Sequence, residues 1–562
     1  MNIAAWPPGW PRSLEYPRLP VHEILDQSAQ RIPQRTALIF AGQRLSYAGL
    51  KELSDRLAAA LFALGVQKGE RVALQLPNCP QFAVAYYGLL KAGAVFCPVS
   101  PLLTPEEAAH QLDDSGARTL ICLQDLYPAL AELPQVQALA RRVVVNLGDT
   151  LSPLSPPGQS PPAGTLAFNQ LLREHQPLPA PVEVDPARDL AHLAYTGGTT
   201  GRSKGVMLDH CNVLANVMQG SLWCLGARVE TKAGRMEVCY PGGTDTSRER
   251  IFQRDQEVAL LVAPWFHAMG VVALNNQLFL GSTVVVFPRF DPGRLLAAAC
   301  EHRISFINGA PPVYRQLLNH PSFQGPELGH IKWAVSGAAP LPQSLLQRML
   351  EHIPGVITEG YGLTECTAAA TANPPQRKAM RPGSIGLPLF DTEIKVVDPA
   401  RGQDLPPGEE GELCIRGPQV MRGYWNNPQA TAEVLKQGWL HTGDIGRQDP
   451  EGYFYITDRL KDLILYKGYN VYPRELEEVL QGHPAVELGA VLGRPDPESG
   501  ERVVAFVQPR PGERPSPAEL MEYVNQRVAP YKKIRELHLV ERIPVSGPGK
   551  VLKRVLREQL PA

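Results

Sequence analysis

A chain of 562 residues is too long for one compact core, so two or more domains are expected. A formal charge of −1 argues against nucleic acid as the main partner. The nine cysteines are scattered, with no C-x-x-C pair and no His/Cys group at zinc spacing. That pattern excludes a disulfide scaffold and fits a reducing, cytoplasmic setting.

Residues 1–20 lack the basic-then-apolar pattern of a signal peptide. In chain order, a first amphipathic helix is expected over 21–32, then a strand over 36–40. Ser46 is the N-cap of a helix running to Leu64, with Leu50, Leu53, Leu57 and Leu61 on one face and Gly65 as its stop. Strands at 71–76 and 94–98 enclose a helix at 81–92. This β-α-β-α alternation predicts an α/β fold, a mixed and largely parallel sheet covered by helices.

The proline-rich stretch 150–186 reads as a surface connection. A buried strand, 190–194, leads into residues 195–205, Tyr-Thr-Gly-Gly-Thr-Thr-Gly-Arg-Ser-Lys-Gly. Four glycines there let the backbone approach a ligand closely, and successive N–H groups form an anion-binding concavity. Three threonine hydroxyls and Lys204 complete a polyphosphate cradle, although no Walker register fits.

A helix over 212–224 follows, then a polar excursion, 226–256, read as exposed and flap-like. The apolar stretch 258–287 is broken by Pro264, His267 and Asn275, so it predicts buried elements rather than a membrane span. Past Gly411 short strands divided by glycines predict a small β-rich piece, and a compact α+β unit is expected from Asp462 onward, with a helix over 473–481.

Five further motifs carry chemistry. Residues 336–340 (Ser-Gly-Ala-Ala-Pro) follow a strand and leave room for a flat ring. Residues 358–365 (Thr-Glu-Gly-Tyr-Gly-Leu-Thr-Glu) pair an aromatic with a hydroxyl and a carboxylate. Asp444 in Trp-Leu-His-Thr-Gly-Asp can accept from two ribose hydroxyls. Arg459 lies just before the small unit, and Lys550 sits on a glycine-proline loop near the end. Taken singly, each has an ordinary explanation: a loop lysine aids solubility, Glu365 starts a helix, Asp444 makes a turn.

Together, in this order, they resemble the adenylate-forming superfamily of acyl-CoA synthetases, luciferases and peptide-synthetase adenylation domains. The resemblance covers nearly the whole chain. It implies an N-terminal domain over 1–458, a hinge over 459–461 with Lys461 as the hinge residue, and a small mobile C-terminal domain over 462–562. The implied reaction joins a carboxylic acid to AMP from ATP, with Mg²⁺, and then passes the acyl group to coenzyme A. The implied catalytic set is Lys550, His267, Thr364 and Glu365.

The implied nucleotide site comprises Thr196, Gly197, Gly198, Thr199, Thr200, Lys204, Gly337, Ala338, Ala339, Glu359, Gly360, Tyr361, Gly362, Thr364, Asp444, Arg459 and Lys550. Within it, Tyr361 stacks on adenine over a floor at 336–339, and Thr196 with Glu365 holds Mg²⁺. Lys467 and Gly468 contact coenzyme A. The acyl pocket takes His267, Gly270, Val271, Gly309, Ala338 and Ala368. With no obvious buried charge to pair an ammonium, it suits a fatty acid first, an uncharged aromatic acid second, and not an amino acid. Loading of a carrier protein is a further alternative. A homodimer and peripheral membrane contact are both compatible with the resemblance.

Two departures stand out. The family loop reads T-S-G-T-T-G-x-P-K-G, whereas here Gly197 replaces the serine and Ser203 the proline. These changes put one phosphate-contacting hydroxyl and the rigidity of the loop in question.

Overall fold

The computed structural model describes residues 3–149, 160–196, 203–240, 251–460, 462–467, 469–496, 499–545 and 551–560. Gly197–Thr200, Lys461, Gly468 and Lys550, each assigned a role above, lie outside the described residues.

Two mainly parallel sheets form the frame. The nine-stranded sheet has at its centre the parallel strands Val356–Tyr361, Trp333–Ser336, Phe306–Gly309, Val258–Leu261, Thr283–Val285 and Thr36–Phe40. The eight-stranded sheet sets Leu190–Tyr195 beside the parallel strands Val95–Pro98, Arg71–Gln75, Thr119–Leu123 and Arg141–Val145. Both bury long apolar runs under helices, as parallel sheets require.

The helix Tyr47–Ala63 shows why the local signals are reliable. The Ser46 side chain accepts from Gly49 N, and Leu50, Leu53, Leu57 and Leu61 are buried on one face. A third, antiparallel sheet contains Glu393–Val397, Gly411–Arg416 and Trp439–Gln448, with Phe454–Arg459 paired to the last of these. Its strands after Gly411 match the β-rich piece expected there; Glu393–Val397 joins them from before that point, and Ile464–Tyr466 pairs in the C-terminal sheet instead.

The C-terminal residues build their own core. Ile464, Leu476, Val491, Val503, Ala505, Leu520 and Val524 pack together around the antiparallel pair Val486–Asp496 and Gly500–Pro509. The helix Pro473–Gln481 covers this sheet and starts with proline, whose missing N–H costs nothing at that position.

Two expectations need correction. The stretch 150–186 is not wholly a surface connection: Leu166–Ala167 joins the eight-stranded sheet, and the helix Phe168–Glu174 buries Phe168, Leu171 and Leu172. The short apolar pattern was outweighed by surrounding prolines. Nor is 226–256 a plain exposed flap. Arg228–Lys232 and Arg235–Cys239 form a hairpin, Val229 and Met236 are buried, and Gln27 bonds both Gly234 O and Met236 N. Phe252 is inserted among Phe306 and Trp333, with centroids 6.2 and 6.4 Å away. Residues 241–250 lie outside the described residues.

Among the described residues no helix is long and apolar enough to cross a membrane. All nine cysteines are free thiols.

Candidate active site

The stem of the cradle is a hairpin. Leu190–Tyr195 pairs antiparallel with Gly205–Asp209, and Thr196 N donates to Lys204 O at 3.0 Å. Asp114 secures it twice, accepting from Tyr195 OH at 2.6 Å through its carboxylate and from Trp425 Nε1 at 3.1 Å through its carbonyl. Ser203, which replaces the family's proline, takes a bond from Gln111 Nε2 at 3.4 Å.

The tips of three parallel strands lie in register at Gly309, Ser336 and Glu359. Gly337 N donates to Gly309 O, and Ala338 is left-handed with φ 65°, turning the chain outward. A Cβ on Gly337 would lie 3.1 Å from Met269 Cε, so the strand tip and the helix Ala268–Phe279 are close. Ser336 Oγ is buried and bonds to none of the described residues. Glu359 accepts from Leu341 N at 3.0 Å, and burial pushes its carboxyl up to about 7.

Asp444 joins three motifs. Tyr361 OH donates to its Oδ2 at 2.6 Å, and Arg459 Nε pairs with its Oδ1 at 2.9 Å. Asp444 and Arg459 face each other across adjacent strands. Burial, then the Asp444 charge, holds the Tyr361 phenol far above its usual range, so it remains a donor. The turn before Asp444 is clamped by Glu412, which accepts from Gly443 N at 2.9 Å and meets His441 Nδ1 at 2.7 Å. Gly443 needs its left-handed φ of 70° to make this turn. Gly362 serves packing, since a Cβ there would fall 1.6 Å from Ala368 O.

Thr364 and Glu365 lie in the 3₁₀ turn Thr364–Cys366. Thr367, at φ 66°, is a β-branched residue in the left-handed region, and its hydroxyl donates to Gln419 O at 2.8 Å. Glu365 Oε1 accepts from Tyr424 OH at 2.8 Å, and Lys204 Nζ lies 4.9 Å from the centroid of the same tyrosine ring.

On the expected acyl side, His267 caps the helix Ala268–Phe279, its Nδ1 accepting from Met269 N at 3.4 Å. A Cβ on Gly270 would clash with Pro264 O at 1.9 Å, so Gly270 permits close helix packing. Val271 is buried, and the Ala368–Ala369 segment is held by Asn216, which accepts from Ala369 N.

Residues 25–425 match the family model described as AMP-binding enzyme, and residues 475–550 match that of the AMP-binding enzyme C-terminal domain. The chain belongs to the AMP-binding enzyme family. A long-chain-fatty-acid–CoA ligase of Bacillus subtilis (strain 168) is 36% identical over 99% of this chain and 97% of its own length. A feruloyl-CoA synthase of Amycolatopsis sp is 36% identical, covering 94% and 97%. The crystal structure of the anthranilate CoA ligase AuaEII in complex with anthranoyl-AMP aligns with a TM-score of 0.84 at 26% identity, covering 98% of each chain.

The adenylate-forming resemblance therefore holds, as does the α/β fold with a small C-terminal domain. In this AMP-binding enzyme the structure brings Tyr361, Asp444 and Arg459 together, and links Lys204 to Glu365 through Tyr424. It does not join Lys467 to them: Lys467 is exposed on the turn between Ile464–Tyr466 and Tyr469–Val471, at φ 50°. Val545 and Val551 form an isolated antiparallel bridge.

Asp114, Glu412 and Tyr424 escaped the sequence reading. Gly423 and the aromatic pair Tyr424–Trp425 were the available signal for the last. Glu365 and Thr196, expected to hold a metal, offer only oxygen, which would suit a hard cation such as Mg²⁺.

Proposed function

We propose that this AMP-binding enzyme is an ATP-dependent acyl-CoA synthetase of the cytoplasm. It activates a hydrophobic carboxylic acid as acyl-AMP, releasing pyrophosphate, and transfers the acyl group to the coenzyme A thiol with release of AMP. The relay of Tyr361 and Arg459 onto Asp444 is the observation that carries this reading. Among the described residues each Asp444 oxygen has one partner and a second lone pair, so the carboxylate is fixed in place and can still accept from both ribose hydroxyls.

The cradle amides and Lys204 hold the β,γ-phosphates. Lys550 bridges the substrate carboxylate and the α-phosphate, meeting negative charge as it develops; loss of such a donor typically costs about a hundredfold or more in rate. Glu365 and Thr196 would hold Mg²⁺, whose charge would be supplied at the outer phosphates. His267, with Nδ1 accepting, carries its ring proton on Nε2 in the neutral form. That N–H orients the acid's carboxylate or gates entry of the thiol.

Domain 1–458, hinge 459–461 and mobile domain 462–562 divide the two half-reactions. Asp458 ties the two sides of this boundary together: its Oδ2 accepts from Arg474 N at 3.1 Å at the start of the helix Pro473–Gln481, whose N-cap residue makes no side-chain capping bond. Rotation of the small domain presents Lys467 and Gly468 to coenzyme A.

The fatty-acid ligase relative and the apolar residues Val271 and Ala368 favour a fatty acid. The feruloyl and anthranilate relatives favour an aromatic acid as the second reading. Fatty acids of graded length and aryl acids, each offered with ATP and either coenzyme A or a carrier protein, test both substrates. The expected result is a fatty acyl-CoA with one AMP per thioester. Acylation of the carrier alone would overturn the assignment.

A further inference from the structure

Tyr424 belongs to none of the motifs that marked the site, yet it touches two of them. Its hydroxyl donates to Glu365 Oε1 at 2.8 Å, and its ring receives Lys204 Nζ at 4.9 Å from the centroid. A cation over an aromatic face and a hydroxyl on a carboxylate are both attractive and both directional. The phenol therefore stands between opposite charges that would otherwise be drawn to each other.

The backbone holds Tyr424 from both sides. Gly423–Tyr424 pairs antiparallel with the Met207–Val206 end of the cradle hairpin, and Trp425 N donates to Gly205 O at 2.7 Å. Upstream, Met421 N donates to Glu365 O at 2.8 Å. Tyr424 N is satisfied by Thr431 Oγ1 at 2.9 Å, and the residue is buried. One short strand thus stitches the phosphate hairpin to the turn that bears Glu365.

We propose that Tyr424 is a positioning residue that keeps Lys204 and Glu365 apart and aimed at the nucleotide, instead of allowing them to collapse into a direct salt bridge. The inference rests on the assignment of those two residues to the β,γ-phosphates and Mg²⁺. The ring sets the place of the lysine and the hydroxyl sets that of the carboxylate, so the two functions separate by substitution.

Isothermal titration of the full chain with AMP, ATP and Mg·ATP tests this without turnover. Tyr424→Phe keeps the ring and is expected to weaken Mg·ATP three- to tenfold while leaving AMP unchanged. Tyr424→Leu is expected to weaken metal-free ATP as well, again sparing AMP, which lacks the outer phosphates. Equal weakening of AMP and ATP in Tyr424→Phe, or no change in any ligand, would overturn the proposal. Lys204→Ala and Glu365→Gln are run alongside. Should both bind Mg·ATP as tightly as the parent, the assignment beneath the proposal fails, whatever Tyr424 does.

Discussion

Tyr361 and Asp444, 83 residues apart in sequence, meet at 2.6 Å, and Arg459 closes the same carboxylate from the other side at 2.9 Å. Asp444→Asn turns one acceptor oxygen into a donor facing either a phenol or a guanidinium. A broken bond to a buried group costs on the order of 1–3 kcal/mol. We expect the KM for ATP to rise at least tenfold. Tyr361→Phe, which leaves the arginine pair intact, should raise it less, and steady-state kinetics with ATP as the varied substrate distinguish the two.

Glu359 gives the pH profile a definite sign. Burial raises its carboxyl from 4.5 to about 7 in the folded chain. Between those values the folded state keeps a proton that the unfolded chain has released, so stability falls as pH rises through the window. The full difference is worth on the order of 3 kcal/mol. Glu359→Gln should remove most of that fall, read as a flatter Tm between pH 4.5 and 7.

His192 and His210 act in the opposite direction. Burial lowers each to about 3, and each ring accepts or shares one bond while neutral, His192 with Tyr86 OH at 2.9 Å and His210 from Val21 N at 3.1 Å. Below pH 6.5 the unfolded chain binds protons that the folded chain refuses, so stability is lost as pH falls. Each histidine contributes about 1.4 kcal/mol per pH unit. His192→Gln should roughly halve their joint slope between pH 4 and 6 in urea unfolding.

Gly362→Ala tests the turn that carries Glu365. The added methyl would meet Ala368 O at 1.6 Å, so backbone must move. Overpacking of this kind costs roughly 1–3 kcal/mol. Adenylation should drop at least tenfold, while circular dichroism at 25 °C remains that of the folded chain.

Much of the frame was legible because local signals and burial agree. The helix Pro473–Gln481 was predicted residue for residue, since Pro473 starts it and Leu476 and Leu480 share one face. The hairpin over 228–239 was hidden because its charged residues, Arg228, Glu230 and Lys232, alternate with few apolar ones. Only tertiary contact reveals that Val229 and Met236 are buried. In the site, motif residues were readable as carriers of charge, but Glu412 and Tyr424 act on other residues. Their partners lie 31 and 59 positions away, beyond any sequence window.

Substitutions at Lys550 and Lys461 are expected to separate the two half-reactions. Lys550→Ala is expected to lower acyl-AMP formation at least a hundredfold while thioester formation from supplied acyl-AMP persists. Lys461→Pro should do the reverse, because it restricts the backbone at the proposed hinge. Single-turnover assays of each step on each variant provide the reading.

Acid-dependent exchange of labelled pyrophosphate into ATP, with no coenzyme A present, is the most direct test of activation through an acyl-adenylate. The account predicts exchange that requires a hydrophobic acid and Mg²⁺ and that, in Asp444→Asn, needs at least tenfold more ATP. Thioester formation accompanied by ADP and phosphate, with no exchange for any acid, would contradict it.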